Sequence, residues 1–179
     1  MAGGLMAQVE ALLKEGGSTL PPVHLWNPPL SGDIDIRIAR NGDWYHEGTR
    51  FERQALVRLF ASILKREGDG YFLVTPVEKW RIRVEDLPFV AIDCEALGEG
   101  SDQQLVFTTN VGDRVHCGAA HPLHMLADPA TGDVLPCVRV RNGLEARIAR
   151  SVYYRLAGLA MPGDEAAGLW SDGVYFPLA

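Results

Sequence analysis

No stretch of this 179-residue chain approaches the ~20 consecutive apolar residues that a membrane-spanning helix needs. Met1 to Gly17 lacks the basic start and long apolar core of an export signal, and carries Glu10, Lys14 and Glu15 instead. Cysteine is scarce. Cys94, Cys117 and Cys137 are odd in number and widely spaced, which suits reduced thiols in a cytoplasm better than a disulfide framework. Positive charge is also short: the formal net charge of −6 disfavours a nucleic-acid polymer and an anionic membrane surface as partners. The phosphate-cradling G-x-x-x-x-G-K-[ST] loop, the dinucleotide G-x-G-x-x-G turn and the G-x-S-x-G elbow are all missing. Ser31, Ser62, Ser101, Ser151 and Ser171 have no recognisable nucleophile setting. Nothing in the pattern calls for a cofactor, and the balance leans away from an enzyme.

What is present is an internal echo. Ile38-Ala39-Arg40-Asn41-Gly42 is followed by Arg53 to Ala61, and Val140-Arg141-Asn142-Gly143 is followed by Arg150 to Ala157. Each run holds Arg-x4-Arg-Leu, and each then reaches an Asp-Gly with aromatics: Asp69-Gly70-Tyr71-Phe72 and Asp172-Gly173-Val174-Tyr175-Phe176. The same order twice points to a duplicated unit, with a seam at which ligands often sit.

The local patterns fill in these units. Leu5, Met6, Val9, Leu12 and Leu13 fall at helical spacing and predict a short amphipathic helix lying on the body or on a partner. Pro21-Pro22 and Pro28-Pro29 bracket an extended arm with Trp26 as its anchor. Ile34, Ile36 and Ile38 alternate with charge as a half-buried strand does, and Asn41-Gly42 reads as a two-residue hairpin turn into Trp44-Tyr45-His46. Thr49 and Glu52 suit a capping box, and Leu56, Leu59, Phe60, Ile63 and Leu64 form one stripe, so a helix is expected over 50–66. From Tyr71 to Val115 strands follow one another, with Val90, Ile92 and Cys94 on one face of theirs. Val134 to Val140 and Leu144 to Ile148 predict a further hairpin, then a helix over 149–159 and a packed tail. The sum is an α+β fold: duplicated, mainly antiparallel β units with one helix each. The expected divisions are 1–30 for the N-terminal helix and arm, 31–88 for the first copy and 89–179 for the second.

The stretches Gly42 to Tyr45, Leu56 to Phe60, Leu73-Val74-Thr75-Pro76-Val77-Glu78-Lys79 and Val84-Glu85-Asp86-Leu87-Pro88-Phe89 resemble an uncharacterised bacterial family, domain of unknown function 1285. Pro21 to Asp35 and Arg141 to Ala146 fit it too. The resemblance implies a duplicated core and a C-terminal half loosely like a pleckstrin-homology fold. It also implies a site between the halves for a nucleotide-like ligand, and a role in signalling.

Three clusters could carry chemistry. Thr75, Glu78 and Lys79, with Trp80, Asp86 and Phe89 close behind, offer hydrogen bonds, an ammonium and stacking surface to a polar ligand; a charged edge strand would carry the same residues. Arg139 to Arg155 holds five arginines and one acid. Arg141 and Arg150 stand out there, the latter near a predicted helix N-terminus; a solvated strand face is the plainer account. His116, Cys117, His121 and His124 lie within one loop, but their spacing matches no zinc motif, so no metal is assigned. The leading expectation is therefore a non-catalytic module that binds a small anionic molecule, of the nucleotide type, through Thr75, Glu78, Lys79, Asp86, Phe89, Arg141 and Arg150. A small metal-dependent hydrolase using the His116–His124 loop is one alternative. The other is an interaction module that docks through its N-terminal helix and arm, on a partner or as a homodimer.

Overall fold

A computed structural model describes residues 4, 5, 7–9, 11 and 20–178. The chain divides into two compact units, Met1–Glu85 and Asp86–Ala179. Each is built on a six-stranded sheet.

In the first unit the strands are β1 (Gly32–Ile38), β2 (Trp44–His46), β3 (Thr49–Arg50), β4 (Leu64–Glu67), β5 (Gly70–Val74) and β6 (Lys79–Val84), in the order β3-β2-β1-β6-β5-β4. In the second they are β7 (Phe89–Leu97), β8 (Gln104–Thr109), β9 (Arg114–His116), β10 (Leu123–Ala127), β11 (Val134–Arg141) and β12 (Leu144–Ile148), in the order β10-β11-β12-β7-β8-β9. The two orders are the same. In both, the first and last strands form the central pair and run parallel, β1 with β6 and β7 with β12; every other pairing is antiparallel. Each unit carries a helix of two to three turns beside its sheet, α1 (Gln54–Ser62) in the first and α2 (Arg150–Ala157) in the second. The α+β duplicated fold is thus present. A hairpin, β13 (Gly168–Ser171) with β14 (Val174–Pro177), closes the second unit.

The duplication does not follow the sequence echo. Asn41-Gly42 joins the first two strands of its sheet, whereas Asn142-Gly143 joins the last two. Helix α1 lies between the third and fourth strands of its unit, whereas α2 follows the last, β12. The turns differ as well. At Asn142-Gly143 both residues have positive φ, 45° and 77°, and Arg141 pairs with Leu144 across a two-residue turn. Only Gly42 does so in the other, at 92°, within a five-residue loop closed by Ala39 N to Asp43 O (2.8 Å) and Gly42 N to Ala39 O (2.9 Å). Its counterpart in the second unit is Thr109–Asp113, with the same two bonds at 2.9 and 3.0 Å and Gly112 at 91°. The two-residue turns of the first unit are Glu47-Gly48, at 49° and 82°, and Gly68-Asp69, with Gly68 at 59°. A Cβ at Gly143 has open space but must adopt the left-handed region. Gly143→Ala is therefore expected to cost about 1–2 kcal/mol in chemical denaturation, while Asn41→Ala, outside that region, costs clearly less.

Helix α1 is shorter than the pattern predicts. Thr49 and Arg50 pair with β2, so the expected capping box does not form; Arg53 occupies the N-cap without a side-chain cap. At the other end Leu64 to Glu67 leave the helix to pair with β5, Leu64 opposite Leu73. Ile63 and Leu64 stay buried by this route too, and the ladder also places Lys65 and Glu67 for ion pairing, so tertiary pairing overrides helical propensity. Trp44, Phe51 and Phe60 pack together under the helix, with ring centroids 5.7 to 6.4 Å apart. In the second unit Val152 and Leu156 seat α2, and Arg155 reaches Asp93 on β7 at 2.6 Å.

Strand β7 is buried in the opposite phase to the expected one. Phe89 and Ala91 are fully buried, and Ile92 is exposed. Register with Ala146 and Ile148 sets the buried side, and a bulge between Ala91 and Asp93 then breaks the alternation. The proline-bracketed arm is not wholly extended either: Val23–Leu25 make one 3-10 turn, and Lys65 Nζ holds the arm through Trp26 O (2.9 Å) and Asn27 Oδ1 (2.8 Å). At the N-terminus Leu5 and Val9 are helical and buried, while Met6, Leu12 and Leu13 lie outside the described residues.

Candidate functional site

The predicted residues of the first unit are engaged within it. Thr75 is buried in the turn from β5 to β6, where its hydroxyl accepts the N–H groups of Val77 (3.3 Å) and Glu78 (3.0 Å). The Glu78 carboxylate accepts from Gln8 Nε2 at 3.2 Å. Lys79 forms an ion pair with Glu67 and lies 4.5 Å from the Phe72 ring centroid. The Lys79 hydrogen bond, helped by Lys65, holds the Glu67 carboxyl below the ordinary range against the opposing pull of burial. A groove of about 400 Å³ runs along the parallel pair, lined by Asp33, Ile34, Asp35, Arg81, Ile82 and Arg83. Its charges are matched, Arg81 to Asp33 at 3.3 Å and Arg83 to Asp35 at 2.7 Å, and mostly exposed, so they offer a ligand little unspent attraction.

In the second unit the predicted residues take three different positions. Asp86 is buried and receives Arg147 bidentately, Nε to Oδ2 and Nη2 to Oδ1, both at 2.8 Å. Phe89 is core. A bulge between Arg139 and Arg141 re-aims Arg141, so that its guanidinium lies 5.0 Å from the Phe89 ring centroid and 2.7 Å from Asp113 Oδ2. Arg150 is the first residue of α2 and is exposed.

A cluster that the sequence pattern hides lies on one face of β10, β11 and β12. His124 on β10 is directly opposite Cys137 on β11, and Arg139, two residues on, is opposite Glu145 on β12. His124 Nε2 reaches across to Glu145 Oε2 at 2.9 Å, and Arg139 Nε donates to Glu145 Oε1 at 3.2 Å. Glu145 is 2% exposed and Cys137 wholly buried. Burial first, then the negative charge of Glu145, pushes the Cys137 thiol up to about 12. Arg147 continues the face beyond Cys137; burial works against its charge, but the Asp86 hydrogen bonds prevail and raise its pKa. The alternation over 144–148 marks Glu145 and Arg147 as solvent-facing, and all five of those residues are in fact buried. The only sequence signal for the cluster was the pair of polar positions at i and i+2 on each side of the Asn142-Gly143 turn.

Of the loop considered for a metal, His124 alone joins this cluster. His116 is exposed, Cys117 is buried, and His121 Nδ1 lies 3.2 Å from Arg139 O. The loop itself is shorter than expected, because Leu123–Ala127 form an edge strand.

No curated protein matches the chain. Two solved structures resemble it. A DUF1285 family protein from Silicibacter pomeroyi DSS-3 is 54% identical, with 97% of this chain and 93% of that one covered and a TM-score of 0.88. A DUF1285 family protein from Shewanella baltica OS155 is 32% identical, with 69% and 90% covered and a TM-score of 0.54. Family models for the N-terminal and C-terminal domains of DUF1285, a family of unknown function, match residues 21–87 and 88–178. Sheet for sheet and domain for domain, the chain belongs to the DUF1285 family.

Proposed function

We propose that the protein is a non-catalytic module that binds a small anionic molecule, of the nucleotide type, and serves regulation or signalling. The observation that carries this reading is the state of Arg139. Its side chain is 47% exposed, yet Nε is fixed on the buried Glu145 carboxylate. The guanidinium is thereby oriented while its two terminal nitrogens have no partner among the described residues, and a planar fork held in place is suited to a phosphate or carboxylate. Arg150, exposed on the same unit, adds positive charge without an ion pair among the described residues. The helix that follows β12 agrees with a loose pleckstrin-homology likeness for this unit. Cys94, Cys117 and Cys137 are free thiols, which suits a reducing compartment such as the cytoplasm. No helix among the described residues is long and apolar enough to cross a membrane.

Thermal denaturation against a panel of nucleotides tests the reading. A ligand at 100 times its Kd adds about 2.7 kcal/mol to the native state. At least one nucleotide should raise the midpoint of the wild-type protein and fail to raise that of Arg139→Ala. No shift with any nucleotide, or an equal shift in the variant, overturns it.

A further inference from the structure

We propose that His124, Cys137 and Glu145 form a binding site for a late first-row transition-metal ion, with Zn2+ the ion that fits best. The three donors are an imidazole nitrogen, a sulfur and a carboxylate oxygen, one from each of three adjacent strands, and their ligand atoms all lie within 4.8 Å of one another. Metal–ligand bonds of about 2.0–2.3 Å in a tetrahedron place ligand atoms about 3.3–3.8 Å apart. The nitrogen and oxygen stand at 2.9 Å, joined by a hydrogen bond, so they part by about 0.4 Å as the ion replaces that bond and the sulfur closes in. The half-exposed His124 side chain can turn to supply it.

The donor set decides which ion. Sulfur with imidazole selects zinc and its neighbours over magnesium and calcium, which require an all-oxygen shell. One thiolate and one carboxylate balance the dication. On binding, the Cys137 thiol gives its proton to solvent and the imidazole carries its hydrogen on Nδ1, leaving Nε2 for the metal. An outer shell is already built. Arg139 Nε fixes Oε1 of Glu145 and leaves Oε2 for the ion, which is how the partners of metal-bound carboxylates ordinarily act. The nearby positive charge of Arg147 is held by Asp86. Three protein ligands, with the exposed edge of His124 as the way in, leave a fourth position for water or a ligand atom.

The site shares Glu145 with the anion-binding reading, but that reading rests on the terminal nitrogens of Arg139 and makes no use of Cys137 or His124. The probe is Co2+ titrated into the dialysed full-length chain, with zinc content measured in parallel. The expected result is a thiolate-to-cobalt charge-transfer band saturating at one equivalent, and about one retained zinc per chain. Cys137→Ser should abolish the band and leave any nucleotide-induced thermal shift intact. His124→Ala, at a half-exposed position that leaves the core untouched, should weaken cobalt binding by at least about tenfold, and Cys94→Ser should change neither. Absence of a band at stoichiometric Co2+, a band that survives Cys137→Ser, or unaltered affinity in His124→Ala would overturn the proposal.

Discussion

Asp86→Ala is expected to destabilise the second unit by about 3–5 kcal/mol, because it leaves a buried guanidinium without its counter-charge. Asp86 opens this unit just ahead of β7, and Arg147 lies on β12, the strand that pairs with β7. The carboxylate takes two of the arginine's donors, and Nη1 serves the carbonyls of Leu126 (3.0 Å) and Leu135 (2.9 Å). One side chain therefore ties the entry of the unit to β12, to the edge strand β10 and to β11 between them. Loss of Asp86 strands the charge; loss of both partners does not. Asp86→Ala with Arg147→Met should recover most of the deficit, since replacing a buried pair by apolar groups is often close to neutral. Urea unfolding followed by amide exchange in β7 and β12, which reports on the second unit, measures both. A single-variant loss below about 1 kcal/mol, the level of an exposed pair, would show that the pair does not hold the unit in solution.

This pair also shows where the sequence was readable. Asp86 stood out as functional because it lies close behind the Thr75–Lys79 cluster, and the structure gives it a charged partner, but an internal one. Arg147 was not legible. In Leu144-Glu145-Ala146-Arg147-Ile148 the alternation is that of a strand with one wet face, and only the packing over β10 to β12 shows that both faces are covered. A similar limit explains β7. Val90, Ile92 and Cys94 are more apolar than their neighbours, yet the parallel register with β12 places Phe89 and Ala91 inside. Strands of both units, the Asn142-Gly143 turn and α2 could be read from local periodicity and turn chemistry. The end of α1 could not, because Ile63 and Leu64 continue the helical stripe as well as they begin a strand. The echo was informative for a reason other than its content. Its Asn-Gly and Arg-x4-Arg-Leu segments sit at non-equivalent places, while the true repetition lies in strand order and in the paired turns at Ala39–Asp43 and Thr109–Asp113. Their sequences share only Gly and Asp at the last two positions, because the turn needs one residue in the left-handed region and leaves most other side chains open.

The largest effect expected from a single small side chain is at Ser171. Nothing in its sequence setting marks a role: it is neither charged nor part of a motif. It is wholly buried at the end of β13, where its hydroxyl donates to Cys117 O at 2.7 Å and accepts from Leu105 N at 2.9 Å. Leu105 O in turn accepts from Cys117 N at 2.9 Å, so the serine completes the bonding of both residues where β8 meets the segment after β9. Ser171→Ala removes one oxygen and leaves a buried N–H and a buried carbonyl without partners. Each such loss costs about 1–3 kcal/mol, and the site is too tightly closed around Cys117 and Leu105, at 1% and 0% exposure, for solvent to replace the bond without movement. The expected result is a loss of about 2–4 kcal/mol in urea unfolding, with faster exchange of the Leu105 amide than of Val106 beside it. Ser171→Thr, which keeps the hydroxyl, should lose less of the amide protection even where its extra methyl strains the packing. Wild-type exchange at Leu105 in Ser171→Ala would mean that the hydroxyl does not bridge these strands.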